Sequence, residues 1–385
     1  MSGILCEKNE RTSDFNSFPL YSLTIENGIT PKTDRYERSS LVTKTEDLFK
    51  IVNQNEFVTN PMNLRFGALG YNKNPHYISV SGYYDVFSID NDKCSAFWNS
   101  YFKTVSVMTV FDNAATGSLI EKRRVKYSTL KQISLLMPIE LREKQKIGTL
   151  FEDIDELITL HQRKLDKLIN VKKSMLEKMF PKQGSTVPEV RFSGFTEDWE
   201  QRKLGEIADI VGGGTPSTTN LNYWDGDIDW YAPAEITGQI YINSSQRRIT
   251  NLGYESSSAK ILPPGTVLFT SRAGIGKTAI LTRKGCTNQG FQSIVPHCNE
   301  LDSYFIFSRS DELKQYGELV GAGSTFVEVS GKQMEAMNLM MPLTMKEQKK
   351  IGTYFEKIDH LITLHQRKLE KLKNIKKSML EKMFI

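Results

Sequence analysis

Cysteine is scarce in this chain of 385 residues, and no two cysteines are closely spaced. Cys6, Cys94, Cys286 and Cys298 form no C-x-x-C pair, which a zinc site or a disulfide framework would need. His297 beside Cys298 is the nearest pair of potential ligands, and two adjacent residues do not make a metal site. We therefore expect no metal ion, and cysteines that are reduced and mostly buried.

The sequence also lacks long apolar runs and a strong excess of charge. No stretch approaches the roughly 18 apolar residues that a membrane span needs, and residues 1–8 reach charge too early for a secretory signal. These absences predict a cytoplasmic protein that does not contact the membrane. A net charge of +5 permits nucleic-acid binding without indicating it. With 39% hydrophobic residues, the chain can form two or three packed domains.

What the chain does have is an internal repeat. Residues 137–180 and 341–384 align without a gap, with Pro138 opposite Pro342, and roughly three quarters of the positions are identical. The stretches before each copy, 1–136 and 197–340, look far less alike. The order of the chain is therefore globular, helical, globular, helical.

Each copy of the repeat has apolar residues at alternating steps of four and three, which predicts a long helix with a heptad seam. Because both helices share one pattern, the simplest arrangement packs them against each other. Polar residues interrupt both seams at matching places, and such residues more often set register than perform chemistry. The seam residues are Ile147, Phe151, Ile154, Ile158, His161, Leu165 and Leu168, and then Ile351, Phe355, Ile358, Ile362, His365, Leu369 and Leu372, with Lys172 and Lys376 as further interruptions.

A helix of about 36 residues spans about 54 Å, which exceeds the roughly 34–36 Å of one DNA turn. Two globular parts held by such helices could therefore contact DNA more than one turn apart. A Pro-, Gly- and Ser-rich linker after the first helix marks a boundary. We predict a first globular domain at 1–138, the central helix at 139–181, the linker at 182–196, a second globular domain at 197–342 and the C-terminal helix at 343–385.

Both globular domains alternate short apolar runs with turn residues, as at 76–80 and 266–270, and include helical segments such as 310–319. This pattern predicts mixed α/β domains. Enzyme motifs are incomplete. Residues 271–278 end like a phosphate-binding loop, but Ser271 replaces the first glycine and the segment continues into a predicted strand. Residues 74–77 resemble an adenine-methyltransferase motif without its second proline, and no nucleophile constellation is legible. We expect no catalytic residue.

What remains in the loops is polar, basic and aromatic. Arg and Asn can pair with guanine and adenine edges, whereas Ser, Thr and Lys can bind phosphates. For any single residue, a solvated surface role is equally consistent, but as a group flanking two long helices these residues favour DNA. The candidates are Arg35, Tyr36, Arg38, Asn60, Asn63, Arg65, Arg123 and Arg124, and then Thr215, Ser217, Thr218, Arg247, Arg248, Arg272, Lys277 and Ser324.

The whole layout resembles the DNA-specificity subunits of type I restriction–modification systems, the HsdS family. The resemblance covers essentially the full chain and is carried by Glu143–Leu168, Glu347–Leu372, Phe195–Ile207, Gly212–Ser217 and Val267–Lys277. Residues 57–70 look like the counterpart of Val267–Lys277 in the first domain. The leader before the second domain, Val190–Ile207, has no clear counterpart before the first, and a truncated or recombined first domain stays open.

The resemblance implies a non-catalytic subunit in which each domain reads half of an asymmetric, interrupted target in double-stranded DNA. The two helices would form an antiparallel coiled coil that docks two modification (methyltransferase) subunits. Those subunits would carry S-adenosylmethionine, and separate restriction subunits would use ATP and Mg²⁺, so this chain would hold no cofactor. Two alternatives stay open: the specificity partner of a fused restriction–methylation enzyme outside type I, and a coiled-coil protein scaffold.

Overall fold

A computed structural model describes residues 1–32, 48–89, 94–119, 122–272, 274–322 and 328–384. The chain divides into two compact units. Unit 1 comprises Met1–Arg163 and Arg367–Ile385, and unit 2 comprises Lys164–Gln366. Each unit therefore combines one globular part with a portion of each repeat helix.

Unit 1 is a mixed α/β structure. Its main sheet has the strand order β1-β9-β6-β7, with antiparallel neighbours throughout, and smaller sheets have the orders β2-β5-β8 and β3-β4. A core of buried aromatic residues lies between the main sheet and the helices. The elements are β1 Leu5–Lys8, β2 Arg11–Thr12, β3 Tyr21–Thr24, β4 Gly28–Pro31, β5 Phe49–Val52, β6 Phe57–Thr59, β7 Leu69–Tyr71, β8 Ile78–Val80, β9 Asp85–Ile89, α1 Ser95–Tyr101, α2 Val105–Ala114 and α3 Tyr127–Gln132.

Unit 2 is also mixed α/β, so the predicted class is confirmed for both globular parts. Its main sheet has the order β11-β18-β15-β16-β13, accompanied by β14-β12-β17 and β10-β19. The elements are β10 Glu200–Lys203, α5 Leu204–Ile207, β11 Ala208–Gly212, β12 Trp224–Tyr231, β13 Tyr241–Ile242, β14 Arg247–Ile249, α6 Asn251–Glu255, β15 Val267–Phe269, β16 Thr278–Leu281, β17 Cys286–Thr287, β18 Gln292–Pro296, α7 Ser303–Ser308, α8 Ser310–Gly321, α9 Gly331–Glu335 and β19 Asn338–Met341. The long helix α4, Leu141–Lys178, precedes β10 in the chain.

Four strands of the main sheet have the same topology in the two units. Strands β1, β9, β6 and β7 of unit 1 correspond in order and direction to β11, β18, β15 and β16 of unit 2. The predicted correspondence of residues 57–70 with Val267–Lys277 is confirmed, since each segment begins in one strand and leads to its antiparallel neighbour. Residues 278–281 form a strand, as the sequence predicts, and not the helix that a phosphate-binding loop requires.

Both long helices that the repeat predicts are present, as α4 Leu141–Lys178 and α10 Met345–Met383. Within unit 1, Asp155 Oδ1 in the first half of α4 lies 2.5 Å from Lys376 Nζ near the end of α10. Within unit 2, Lys172 Nζ near the end of α4 lies 2.6 Å from Asp359 Oδ1 in the first half of α10. The helices therefore run antiparallel in each unit, which confirms the expected helix pair, and the two ion pairs occupy repeat-equivalent positions.

A glycine in each long helix allows it to approach its own globular part closely. A Cβ at Gly148 would lie 2.8 Å from the backbone nitrogen of Phe97 in α1. A Cβ at Gly352 would lie 2.6 Å from Asp302 Oδ1 and 3.1 Å from the backbone nitrogen of Phe305 in α7. Real Cβ atoms do not come so near, so only glycine permits both contacts. The two glycines are repeat-equivalent, and each meets the start of the short helix that follows the main sheet.

One turn further along each long helix, a glutamate binds a sheet tyrosine. Tyr71 at the end of β7 donates to Glu152 Oε1 at 2.7 Å, and Tyr241 of β13 donates to Glu356. Burial, followed by the neighbouring carboxylate, raises the pKa of both tyrosines well above the ordinary value. Repeat-equivalent glutamates therefore attach the two globular parts to the helices, although the tyrosines that they bind lie on strands that do not correspond, β7 and β13.

The cysteine prediction is only half correct. All four cysteines are free, and Cys94 and Cys286 are buried, with burial raising the pKa of the Cys286 thiol to about 12. Cys6 is half-buried and Cys298 is exposed, contrary to the expectation. The reason is position: Cys6 lies on β1 at the edge of its sheet, and Cys298 lies in the loop after β18.

Candidate nucleic-acid interface

The best-defined polar surface of unit 2 is the loop that follows β11. Two tryptophans of β12 hold its backbone: Trp230 Nε1 donates to Gly214 O at 2.8 Å, and Trp224 Nε1 donates to Ser217 O at 3.1 Å. The Gly214 amide donates to Thr287 O at 2.9 Å. A Cβ at Gly213 would lie 2.0 Å from Asn288 O, so glycine is required for this close packing. The loop is therefore a fixed support rather than a free connection.

This loop presents hydroxyl and amide groups at the surface. Thr215 donates its hydroxyl hydrogen to Gln289 Oε1, in the turn between β17 and β18. The hydroxyls of Ser217 and Thr219 lie 2.8 Å apart, and Thr218 is exposed. Gln289 is exposed and was not among the sequence candidates. No pattern in the sequence marks it, because only the packing of the two loops brings it to Thr215.

Two arginines border the same loops. The guanidinium of Arg247 lies 3.6 Å from the ring centroid of Trp224, whose indole nitrogen holds Ser217. Arg272 is half-buried, and its Nε lies 3.6 Å from the position that a Cβ on Gly290 would occupy. Together with the loop residues Gly212–Thr219 and Gln289, Arg247 and Arg272 make up what we call the unit 2 loop surface.

The remaining candidates of unit 2 lie elsewhere. Arg248 Nε is 3.4 Å from Asp229 Oδ1, and Arg283 Nη2 is 2.6 Å from Asp229 Oδ2. Since the Asp229 side chain is only 4% exposed, these arginines neutralise a buried carboxylate. Lys277 is exposed in the loop between β15 and β16. Ser324 lies outside the described residues.

In unit 1, two of the candidate arginines converge on the last turn of α2. Arg65 Nη1 lies 2.9 Å from Asp112 Oδ1, and the Arg65 side chain is 9% exposed. Arg123 Nη2 donates to Asp112 O at 2.9 Å and to Ala115 O at 3.1 Å. Guanidinium groups that bind carbonyls at a helix C-terminus stabilise the helix end. Both arginines therefore donate hydrogen bonds to acceptors within unit 1.

The other unit 1 candidates lie close by. Asn60 Oδ1 accepts a bond of 3.0 Å from the Met62 amide, and Asn63 precedes a 3-10 turn at Leu64–Phe66. Arg124 is half-buried, with its guanidinium 5.8 Å from the ring of Tyr83. Arg124 and Tyr83 line a cavity of about 320 Å³. Arg35, Tyr36 and Arg38 lie outside the described residues.

The heptad seam follows the inward side of both long helices. Burial is nearly complete for the first three seam residues of each helix, and further along it alternates between buried leucines and half-buried positions. The buried members are Ile147, Phe151, Ile154, Leu165, Ile351, Phe355, Ile358 and Leu369, and the half-buried members are Ile158, His161, Leu168, Ile362, His365 and Leu372. Lys172 and Lys376 use the interruptions of the seam for the two ion pairs with Asp359 and Asp155.

Comparison with known proteins finds a family model that matches part of the chain. Residues 196–374 match the type I restriction modification DNA specificity domain. The MjaIX specificity subunit of a type I restriction enzyme from Methanocaldococcus jannaschii is 34% identical over 192 residues, which cover 49% of this chain and 44% of that protein. The MjaX specificity subunit of the same organism is 26% identical over 272 residues, covering 68% of this chain and 62% of that protein. The chain thus spans less than two thirds of either relative.

A solved structure agrees with this fold. The S subunit of a type I restriction–modification system from M. genitalium superimposes with a TM-score of 0.63 at 13% identity, covering 100% of this chain and 94% of that chain. These matches confirm the resemblance that the sequence predicts.

Among the residues that the structure describes, none of the helices combines the length and the apolar character that a membrane span requires.

Proposed function

Because residues 196–374 match the type I restriction modification DNA specificity domain, we propose that this chain is the DNA sequence-recognition subunit of a type I restriction–modification complex. Each globular part reads one half of a bipartite, asymmetric target. The chain itself is non-catalytic and acts in the cytoplasm. Its DNA contacts include the candidate residues whose side chains are not already bound to a buried group of the chain, above all those of the unit 2 loop surface.

The observation that supports this reading most directly is the construction of the unit 2 loop surface. Hydroxyl, amide and guanidinium groups from Thr215, Gln289 and Arg272 are gathered on a backbone held by two buried indoles. Amide and guanidinium groups can bond base edges in the major groove, while hydroxyls suit phosphates. In this proposal, Arg65, Arg123 and Arg248 stabilise loops of the chain itself. Lys277 and Arg124 contact the phosphate backbone of the DNA.

We propose that the two long helices separate the globular parts and dock two methyltransferase subunits, which in turn recruit restriction subunits. Near-identical helices suit two identical partners, whereas dissimilar loops suit two different half-sites. In this proposal, S-adenosylmethionine belongs to the methyltransferase subunits and ATP with Mg²⁺ to the restriction subunits. The chain needs no cofactor for recognition.

The test is to map methylated adenine across the genome of cells that express this chain with its neighbouring methyltransferase subunit. We expect a single split motif that disappears when this chain is omitted. A scaffold that binds only proteins would produce no motif, and its assemblies would not show the salt-dependent DNA binding that phosphate contacts impose. A fused restriction–methylation partner would give the motif without a separate restriction subunit.

A further inference from the structure

Unit 1 contains a cavity of about 450 Å³ that the recognition function does not use. We call it the lysine cavity, because Lys103, Lys373, Lys376 and Lys377 line it. Asp155 and Glu381 are the acidic residues of its lining, so the cavity carries a net positive charge. Its volume falls within the range of small-molecule sites.

Lys103 is the most unusual group of the lysine cavity. Its neighbour Lys376 has an acidic partner in Asp155. By contrast, the ammonium group of Lys103 forms no hydrogen bond or ion pair among the residues that the structure describes. Burial, followed by the nearby ammonium of Lys376, lowers the pKa of Lys103 to about 8, while the Asp155 carboxylate acts in the opposite direction. Lys103 is half-buried, and a bound anion would offset the cost of partly desolvating its ammonium group.

The start of a helix adds further donors at the same place. Thr104, Val105 and Ser106 line the cavity, and α2 begins at Val105 and runs for 10 residues. Amides in the first turn of a helix have no partner within the helix and favour anions, phosphate in particular. Thr104 caps the helix by accepting a bond from the Val107 amide, which leaves the amides of Val105 and Ser106 for another acceptor.

One part of the wall of the lysine cavity is apolar. Ile158, Leu380 and Phe384 contribute to it, and the Phe384 ring packs on Phe97 and Tyr101. An inorganic ion would leave this wall in contact with water. A ligand with a phosphate group and a flat apolar group, such as a mononucleotide, would contact both the basic and the apolar residues of the lining.

Unit 2 shows that these features are not a general property of the repeat. Helices α7 and α8 are separated by Arg309 alone, whereas α1 and α2 are separated by Phe102, Lys103 and Thr104. Lys373 is replaced by Ile169 at the equivalent place in the first repeat copy. Moreover, the Arg309 guanidinium lies 5.3 Å from the ring of Phe180, the counterpart of Phe384, and binds Glu312 and Met340 O. In unit 2 the chain itself therefore supplies a cation with its own partners.

We propose that the lysine cavity binds the phosphate group of a nucleotide, with Lys103 and the start of α2 as the anion site and Phe384 as the apolar wall. The phosphate can come from a free mononucleotide or from the backbone of bound DNA. This site is independent of base recognition by the unit 2 loop surface.

The test is isothermal titration of the full-length chain with AMP, with adenosine as the uncharged probe. We expect AMP to bind at least about tenfold more tightly than adenosine, and Lys103→Gln to raise the Kd for AMP by about tenfold or more. Lys373→Ile, which installs the residue of the other repeat copy, raises it severalfold. The matched control is Lys173→Gln, the counterpart of Lys377 in unit 2, which leaves the Kd unchanged.

A duplex DNA lacking the methylation target separates the two sources of phosphate. If it displaces AMP from the wild-type chain but the Lys103→Gln variant does not respond, the phosphate belongs to the DNA backbone. If it does not displace AMP, the ligand is a free nucleotide. Equal affinity for AMP and adenosine, or equal losses in Lys103→Gln and Lys173→Gln, would overturn the proposal. Circular dichroism melting verifies that each variant folds.

Discussion

Units 1 and 2 are built alike where they join the long helices and differ where their loops present polar groups. Gly148 and Gly352 make the same close approach to a short helix, and Glu152 and Glu356 each bind a sheet tyrosine. In contrast, Arg65, in the turn after β6 of unit 1, forms an ion pair within that unit. The difference indicates that the attachment to the helices is constrained to be the same in both units, whereas the loops can differ between them.

The ends of the two repeat copies also differ in their surroundings. Glu347, 2% exposed, is bound through both oxygens by Arg191 of the leader, with Nε–Oε1 and Nη2–Oε2 distances of 2.7 and 2.9 Å. Its counterpart Glu143 in unit 1 is exposed. Trp199 of the leader packs on Phe180 in unit 2. The leader is thus a structural part of unit 2, which explains why one repeat copy carries a buried ion pair and the other does not.

The largest effect that tests the shared attachment is expected from Gly148→Ala. The new Cβ meets a backbone nitrogen that can move only if α1 moves away from α4, which we expect to cost about 2–3 kcal/mol despite the gain in helix propensity. Gly352→Ala should cost less, about 1–2 kcal/mol, because the nearest atom belongs to the Asp302 side chain, which can rotate at the expense of its cap on α7.

Native-state hydrogen exchange, resolved by mass spectrometry of peptides, measures both costs. Gly148→Ala should accelerate exchange in peptides of α1 and α2, and Gly352→Ala in peptides of α7. Exchange that accelerates everywhere in either variant would contradict the view that each glycine serves its own unit. Equal costs in the two variants would show that the clash with backbone is relieved as easily as the clash with a side chain.

The second prediction concerns the divergent loops. Arg272→Ala removes a guanidinium beside Gly290 on the unit 2 loop surface, and we expect methylation of the target to fall about tenfold to a hundredfold, the range of one lost base contact. The half of the motif read by unit 1 should keep its sequence, while the other half becomes less specific. Methylation mapping at low expression measures this, with Lys284→Ala, at an exposed lysine outside the loop surface, as the control. Equal relaxation of both halves would contradict separate reading.

The long helices and their pairing could be predicted from the sequence because the heptad seam is a local, periodic signal repeated twice. Most of the candidate interface could not. Arg65 and Arg248 have the residue type of base contacts, but their partners Asp112 and Asp229 are distant in sequence, 47 and 19 residues away (112 − 65 and 248 − 229). Gln289 was missed for the same reason. Which polar group is occupied by the fold depends on tertiary packing, and packing leaves no periodic trace.

The third prediction separates the two ion pairs of the helix pair. Lys172→Met leaves Asp359, whose side chain is 9% exposed, with a hydrogen bond of 2.9 Å from the Tyr304 hydroxyl but without its ammonium partner. We expect a loss of about 1–2 kcal/mol, since removing one member strands a buried charge. Lys376→Met leaves Asp155, 34% exposed, where water can replace the ammonium, and should cost less than about 1 kcal/mol.

The urea concentration at the unfolding midpoint of each variant provides the measurement. The reversed pair, Lys172→Asp with Asp359→Lys, should regain part of the loss if the charges interact directly. A loss in Lys376→Met as large as that in Lys172→Met would show that the difference in burial between Asp359 and Asp155 does not change the strength of the two ion pairs.

The smallest expected effect concerns His297, which joins the loop after β18 to β11 in unit 2. Its Nε2 lies 3.0 Å from Asp209 Oδ1, and this bond raises the pKa of His297 above its ordinary value. A raised folded-state pKa means that the stabilisation is fully present below the unfolded pKa of about 6.5 and is lost as the pH rises through the folded pKa. Since Asp209 is well exposed, we expect about 0.5 kcal/mol or less. Urea midpoints of the wild type and of Asp209→Asn should therefore differ slightly at pH 5.5 and coincide at pH 8.5. A difference that grows towards high pH would assign the contact to a neutral histidine instead.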